Sequence, residues 1–451
     1  MKPTFLKDIA LQIGSIAESL NKASGVAVDT RLLRPGDLFF ALPGAQRDGH
    51  SFIGAAANAG ASGAVVHCDY KGPGFGLPLV YVPDVLKALQ DFACAVLQVR
   101  KAAVVGVTGS LGKTTTKEFL FSLLRNKFRV SASPGNSNSQ IGLPLTILNH
   151  TDEEDEFIIL EMGMTESGQL SKLVKIAPPN IAIVTTVALV HAENFDSIEG
   201  IAQAKAEIFG HPETELGIYH AESDINHNLT KTGLCRKQSF STTAAQSDFS
   251  LQVVKDRLKI REGDQTTIDL PLLNIPGSHN RHNFLAAAAA ARGCGMDWEE
   301  IKSAQSTLEL PERRMQIVKK QGVVFVNDAY NASEMSMKAA LDSLPLPAPG
   351  GKRIAFFGGI VELGKYSEGC HRAVGRYALN HVDIMYCFGR DCLPIVEEWK
   401  SAGREVVWAE ERSELTSLLR NSMQQGDVVL LKGSRSKGVC KVLEELGNIF
   451  G

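Results

Sequence analysis

One stretch constrains this chain more than any other. Ala102-Ala103-Val104-Val105-Gly106-Val107 is apolar and runs straight into Thr108-Gly109-Ser110-Leu111-Gly112-Lys113-Thr114-Thr115-Thr116. Phe119, Leu120, Leu123 and Leu124 then mark one face of a helix. A buried strand, a Gly-rich turn and a helix N-terminus gather backbone N–H groups and the positive helix end around an anion. In that geometry Lys113 reaches the outer phosphates of a nucleotide and the Thr114 hydroxyl can ligate Mg²⁺. Val107 stands where the commonest phosphate-loop pattern has its first Gly. An ordinary Gly-rich turn is the competing reading. The Lys-Thr-Thr tail and the strand before it favour the phosphate loop.

The same grammar recurs along the chain. Phe157–Leu160 and Ile181–Val184 are continuous apolar runs bounded by polar turns, and so are Val323–Val326, Ile354–Phe357, Ile384–Phe388 and Val428–Leu431. Shorter runs lie earlier: Val26-Ala27-Val28, Asp37–Leu42 after the turn Pro35-Gly36, Ala64-Val65-Val66 and Val80-Tyr81-Val82. Such runs separated by helical patterns predict an α/β fold with parallel sheets. At about 100–200 residues per domain, 451 residues predict two to four domains. The pattern divides the chain at about 100 and 312 into three. Ala286–Ala291, behind Phe284 and Leu285, reads as a tightly packed helix.

Composition narrows the function classes. Lys plus Arg is 47 against 50 for Asp plus Glu, a net charge of −3 that argues against nucleic acid and anionic membrane as partners. Hydrophobic residues at 44% fit a chain with real cores and exclude disorder. The 8 Cys are scattered without a C-x-x-C pair, so reduced thiols are expected and no zinc or disulfide framework is legible. Met1–Phe5 leads into polar amphipathic sequence, and the apolar stretch Ile181–Val190 is only about half a membrane span. A soluble cytoplasmic chain without stable membrane insertion is expected. Without a coiled-coil signal or a long apolar patch, it is expected to be a monomer.

In open α/β sheets ligands sit outside the carboxyl ends of the strands. Glu161 directly follows Phe157–Leu160, and His191 lies just past Ile181–Val187. A carboxylate and an imidazole near a phosphate loop suggest a divalent-cation site, with Glu161 the better ligand for Mg²⁺. His191 alone reads equally well as a loop histidine. A helix is predicted from Ser197 to Phe209, and Lys205 falls on its apolar stripe. The simpler reading is a snorkelling lysine. The sharper one is a desolvated amine with a lowered pKa.

Taken in order, these motifs resemble the Mur ligase family. Thr108–Thr116 looks like its nucleotide loop, and Gly135-Asn136-Ser137-Asn138 with Ile141–Leu145 follows the same pattern. Glu161-Met162-Gly163, His191, Ala204–Phe209, His279-Asn280, Asn283 and Arg314 continue the match. Asp29-Thr30-Arg31, Pro35–Leu42, Asp48-Gly49-His50, Asn327–Ala332, Glu362-Leu363-Gly364 and Lys432–Ser436 resemble the branch that adds D-alanyl-D-alanine to UDP-N-acetylmuramoyl-tripeptide. Departures from the family pattern include Ala329 for Ser, Ser333-Glu334 for Asn-Pro and Ile360 for Met. Thr186 stands for its Asn, Ser139-Gln140 for Asn-Glu, Asn327 for Asp, and Gly359 for Asp.

The resemblance implies three domains: 1–100 for the UDP-muramoyl peptide, 101–312 for ATP, and a Rossmann-like 313–451. It implies an ATP-dependent amide ligase of peptidoglycan synthesis that works through an acyl phosphate and two Mg²⁺ ions. The ATP-binding residues would be Thr108, Gly109, Ser110, Leu111, Gly112, Lys113, Thr114, Thr115, Asn280, Asn283, Arg314 and Asp328. Thr114, Glu161, His191 and Lys205 would hold the metals, Lys205 being carbamylated, and Lys113, Glu161, His191 and Lys205 would be catalytic. Substrate would be held by Asp29, Thr30, Arg31, Asp48, Gly49, His50, Asn136, Asn138, Tyr330, Asn331, Lys432 and Arg435. The competing readings are another Mur-type ligase, a folylpolyglutamate-type ligase, and a phosphate-loop binding protein. The Asp-Asn-Pro-Arg tetrapeptide of diaminopimelate-adding enzymes is absent from the sequence.

Overall fold

The computed structural model describes residues 1–44, 47–190, 192–221, 226–243, 246–263 and 266–447. Three sheets follow one another along the chain. The first is all parallel, in the order β1 (Gly25–Ala27), β2 (Asp37–Phe40), β3 (Gly63–His67), β4 (Leu79–Val82). A short antiparallel pair, Thr4–Phe5 with Lys22–Ala23, precedes it.

The central sheet has nine strands: β5 (Ala103–Thr108), β6 (Val130–Ala132), β7 (Phe157–Glu161), β8 (Ile181–Val184), β9 (Leu216–His220), β10 (Arg236–Ser241), β11 (Phe249–Val254), β12 (Arg257–Glu262) and β13 (Thr266–Pro271). Their order is β13-β12-β11-β10-β9-β8-β5-β7-β6. From β6 to β11 every pairing is parallel. The strand of the Gly-rich turn, β5, lies between β7 and β8, with Val107 opposite Glu161 and Thr108 opposite Val184. That register brings the Gly-rich turn, Glu161 and the segment after β8 to one edge of the sheet.

The antiparallel end of the sheet, β11–β12–β13, is not among the strands expected from apolar runs. These strands alternate instead. Leu251, Leu258, Ile260 and Leu270 are buried while Gln252 and Arg257 are exposed. One face meets the core and the other meets solvent, so the signal has period two.

The third sheet contains β14 (Gln316–Lys320), β15 (Val323–Asn327), β16 (Arg353–Gly358), β17 (Ile384–Phe388), β18 (Val406–Ala409) and β19 (Val428–Lys432), in the order β14-β15-β19-β16-β17-β18. Only the edge strand β14 is antiparallel. All eight cysteines are free. Among the described residues no helix is long and apolar enough to cross a membrane.

Three helices position the site. The first, α1 (Lys113–Leu124), begins at the Gly-rich turn. The helix predicted over Ser197–Phe209 is α2 (Ile198–Ala206), followed by the 3₁₀ turn Glu207–Phe209. There Glu207 accepts hydrogen bonds from Gly168 N (2.7 Å) and Ser171 N (2.9 Å), at the start of the next-door helix Gln169–Ile176. The third, α3 (His279–Gly293), crosses α1, and Phe284 to Ala291 are wholly buried. Six consecutive alanines leave no exposed face, and their small side chains let helix and sheet approach closely on every side. Ala288→Leu is therefore expected to lower unfolding stability by about 1–3 kcal/mol, because interiors resist added methylenes. The urea midpoint of the purified protein checks this.

Candidate active site

Two glycines shape the Gly-rich turn. Gly109 has φ +146°, and a Cβ there would lie 1.9 Å from Thr185 Oγ1. Gly112 has φ +83°, and a Cβ there would lie 2.2 Å from Asn283 Oδ1. Only glycine fits both the left-handed backbone and the close neighbours. The turn is pinned from β8. Thr185 Oγ1 donates to Leu111 O (2.6 Å), and Ser110 N donates to Thr186 O (2.7 Å). Thr186 thus meets the loop through its backbone, which any residue there supplies.

At the head of α1, Thr114 Oγ1 donates to Glu161 Oε2 (2.7 Å), and both residues are buried. Asn138 Nδ2 donates to Glu161 Oε1 (2.7 Å). Lys113 folds over the turn, donating to Gly109 O (2.8 Å) and Ser110 O (3.3 Å). Burial pushes the Lys113 ammonium below the usual lysine range, the Glu161 carboxylate opposes this, and Arg314 adds to it. Lys205, in the last turn of α2, is only 3% exposed. Burial first and the Lys113 charge second push its pKa well below the ordinary value. The desolvated reading of Lys205 therefore fits better than the snorkelling one.

The third sheet reaches the same place. Arg314 Nη2 donates to Thr114 Oγ1 (3.1 Å) and stacks over the Tyr330 ring at 4.2 Å. Lys432, 2% exposed at the end of β19, ion-pairs with Asp328 and donates to Asn331 O (3.0 Å). Arg435 Nη1 donates to Asn136 Oδ1 (3.5 Å). These groups enclose a cavity of about 960 Å³ between the central and third sheets. Gly359 leaves room for another acid: a Cβ there would lie 2.7 Å from Asp391 Cβ, and Asp391 ion-pairs with Lys437.

Most of the expected site residues meet at this cavity. Ser110, Leu111, Gly112, Lys113, Thr114, Thr115, Asn136, Asn138, Glu161, Asn280, Asn283, Arg314, Asp328, Tyr330, Asn331, Lys432 and Arg435 all line it. Thr108 is buried behind the turn, and Lys205 lies close enough to feel Lys113. His191 lies outside the described residues. Asp29, Thr30, Arg31, Asp48, Gly49 and His50 sit in the first unit and do not line the cavity. Arg31 pairs with Asp29 there and holds its carboxyl down to about 2. Asp48 accepts from His50 Nδ1 (2.7 Å), and His50 Nε2 accepts from His67 N (2.9 Å).

The cavity also contains three histidines, of which only His279 belongs to a motif read from the sequence. His220 ends β9, and His279 and His282 lie in the first turn of α3. A polar residue at a strand's carboxyl end was the only available signal for His220. Burial pushes the His279 imidazole down to about 4; Lys432, His282 and Arg314 act in the same direction, against Asp328. Lys117, one turn into α1, is wholly buried.

Comparison with known proteins accounts for this geometry. The family models described as "Mur ligase family, catalytic domain", "Mur ligase middle domain" and "Mur ligase, glutamate ligase domain" match residues 22–96, 107–291 and 313–435. The chain is 33% identical over 431 residues to the UDP-N-acetylmuramoyl-tripeptide–D-alanyl-D-alanine ligase of Bacillus subtilis (strain 168), covering 94% of this chain and 93% of that one. It is 34% identical to the enzyme of the same name from Escherichia coli (strain K12), over 93% of each. MurF from Acinetobacter baumannii has the same fold, with a TM-score of 0.85 over 99% of both chains at 24% identity. MurF ligase from Thermotoga maritima, in complex with ADP, has a TM-score of 0.77 at 28% identity, over 93% of this chain and 96% of that one. The three sheets are those of the three-domain Mur ligase fold, and this chain belongs to the Mur ligase family.

Proposed function

We propose that this protein joins D-alanyl-D-alanine to UDP-N-acetylmuramoyl-tripeptide, with ATP converted to ADP and phosphate, in the cytoplasmic stage of peptidoglycan synthesis. The observation that carries the reading is Lys113 beside the buried Thr114–Glu161 pair at a phosphate loop, facing basic groups of the third unit across one cavity. Residues 1–100 take the nucleotide end of the muramoyl peptide, 101–312 take ATP, and 313–451 complete the adenine and amine sides. The chain acts as a monomer.

The donor set fits Mg²⁺. Thr114 Oγ1 and Glu161 Oε2 are hard oxygens 2.7 Å apart, buried at a helix N-terminus. His191 and a carbamylated Lys205 would hold the second ion. The lowered Lys205 pKa supports this, since a neutral amine adds CO₂ through a new N–C bond and releases a proton. When bound, Mg²⁺ supplies the positive charge that lets a carboxylate approach a polyphosphate.

The chain's own groups do the rest. The substrate carboxylate attacks the γ-phosphorus, the bond to the ADP oxygen breaks, and an acyl phosphate forms. Lys113 and the N–H groups of the Gly-rich turn hold the charge that builds on the phosphoryl oxygens. The dipeptide amine then attacks the acyl carbon, the C–O bond to phosphate breaks, and an amide remains. Asp328 and Asn280 hold the adenosine side, while Lys432 and Arg435 face the acyl phosphate or the dipeptide carboxylate. Closure of the third sheet over the cavity keeps water from the acyl phosphate.

Phosphate release is expected only when ATP, UDP-N-acetylmuramoyl-tripeptide and D-alanyl-D-alanine are all present. Release with a single amino acid in place of the dipeptide, or without the muramoyl peptide, would overturn the reading. Lys205→Ala is expected to lose activity and regain part of it with added short carboxylic acids; full activity without them would remove the carbamate. Stability carries a pH signature as well. An unfolded imidazole titrates near 6.5, whereas folded His279 titrates at about 4. The unfolded chain thus binds a proton that the native state refuses, so this contribution is intact above pH 6.5 and is lost as pH falls toward 4. Between pH 7.5 and pH 5 the urea midpoint of the wild type is expected to fall further than that of His279→Gln. Equal falls would show that His279 does not contribute.

A further inference from the structure

Lys117 is a lysine with no exposed surface, one turn beyond the phosphate loop on α1. A buried ammonium is costly unless its protons are all used. Here Nζ donates to Ser133 O and to Gly135 O (2.9 Å), and pairs with Glu118 Oε1 (2.7 Å). Both carbonyls belong to one short segment, 133–138, which turns at Gly135 with φ +53°.

That segment brackets Glu161. At its start, Ser133 Oγ accepts from Glu161 N (3.1 Å) and Ser133 N donates to Ile159 O (2.9 Å). At its end, Asn138 Nδ2 donates to Glu161 Oε1 (2.7 Å), and Asn138 O accepts from Gly163 N (2.8 Å). The Asn138 amide packs so closely on Gly163 that a Cβ there would lie 2.7 Å from it. Glu161 is therefore held by the segment on both its backbone and its carboxylate, while the other carboxylate oxygen meets Thr114. The two carbonyls that Lys117 holds lie at the first anchor point, Ser133, and in the turn at Gly135 that leads to the second. A methylene chain of the same length would fill the space and leave Ser133 O and Gly135 O without a donor.

We infer that Lys117 is a positioning residue for the metal-binding carboxylate, fixing through segment 133–138 the direction in which Glu161 presents its free lone pairs. The inference rests on the proposed Mg²⁺ site at Thr114 and Glu161. Groups that orient a metal ligand without touching the metal are worth about 10–100-fold in affinity when removed.

The test measures metal binding directly, with Mn²⁺ as the probe. The intact chain is loaded with ADP, and free Mn²⁺ is followed by electron paramagnetic resonance. Lys117→Met is expected to weaken Mn²⁺ binding about tenfold. ADP binding in EDTA should stay unchanged, because Lys113 and the loop N–H groups are untouched. Asn138→Ala should weaken Mn²⁺ similarly, and the double variant should be no weaker than either single one, since both act on one ligand. Unchanged Mn²⁺ affinity in folded Lys117→Met, or additive losses in the double variant, would overturn the inference. An equal loss of ADP affinity in EDTA would do so too, by showing a merely structural role. Should Lys117→Met not fold, Lys117→Gln keeps a donor for one carbonyl and carries the same readings with a smaller shift. Wild-type protein that binds no Mn²⁺ with ADP, or Glu161→Gln that binds it normally, would bring down the metal placement itself, a failure visible without any change at Lys117.

Discussion

The charge on Lys113 reaches the buried Lys205, and the cleft beside them gathers further basic groups from the third unit. Lys113 and Lys205 are both pushed below the usual lysine range, Lys205 partly by the charge on Lys113. Arg314 adds a cation beside Lys113, opposed there by Glu161, while Lys432 is paired with Asp328. Such a cleft is under-neutralised by its own residues, and anions supply what it lacks. A net charge of −3 for the whole chain is therefore no guide to what it binds. The positive charge is concentrated where parallel strands end, and neither ATP nor a muramoyl peptide needs a basic surface elsewhere.

The cleft was legible where its chemistry is local. The phosphate loop is written in consecutive residues, and its strand and helix flank it directly. Glu161 was legible because a polar residue that ends an apolar run marks a carboxyl strand end. Lys117 was not, since a lysine in the sequence Thr-Lys-Glu reads as a solvated helix residue. What buries it is segment 133–138, which only the pairing of β6 with β7 brings alongside α1. The strands β11–β13 went unread for another reason. Their apolar residues alternate, and the search for continuous runs that finds parallel strands passes over them. Lys205 lay between: its stripe position gave burial, the larger cause of its lowered pKa, but the second cause, the Lys113 charge, comes from the loop after β5, remote in sequence.

The departures from the family pattern show how the fold tolerates change. Thr186 takes the place of an Asn, yet it meets the phosphate loop through its carbonyl, so the exchange leaves that contact whole. Gly359 takes the place of an Asp, and Asp391 from the end of the adjacent strand occupies the space against Lys437. In both cases the strand end is held by contacts that the residue at that position does not itself supply through its side chain. Sequence motifs record one solution to that geometry, and contacts from neighbouring strands can supply another.

The polar groups of the first unit lie outside the cleft. Asp29, Arg31, Asp48 and His50 are held together there by their own pairs, away from the cavity. Asn149 docks the first sheet onto the central one, accepting from Val26 N (2.9 Å) and donating to Val26 O (2.9 Å). The helix Val85–Gln98 follows the first sheet directly, and Leu86 in its first turn lines the cavity. A substrate with a nucleotide at one end and a reacting carboxylate at the other needs that separation. Binding energy gathered at the nucleotide end then orients a carboxylate that offers few contacts of its own, which is how remote contacts lower a barrier they never touch.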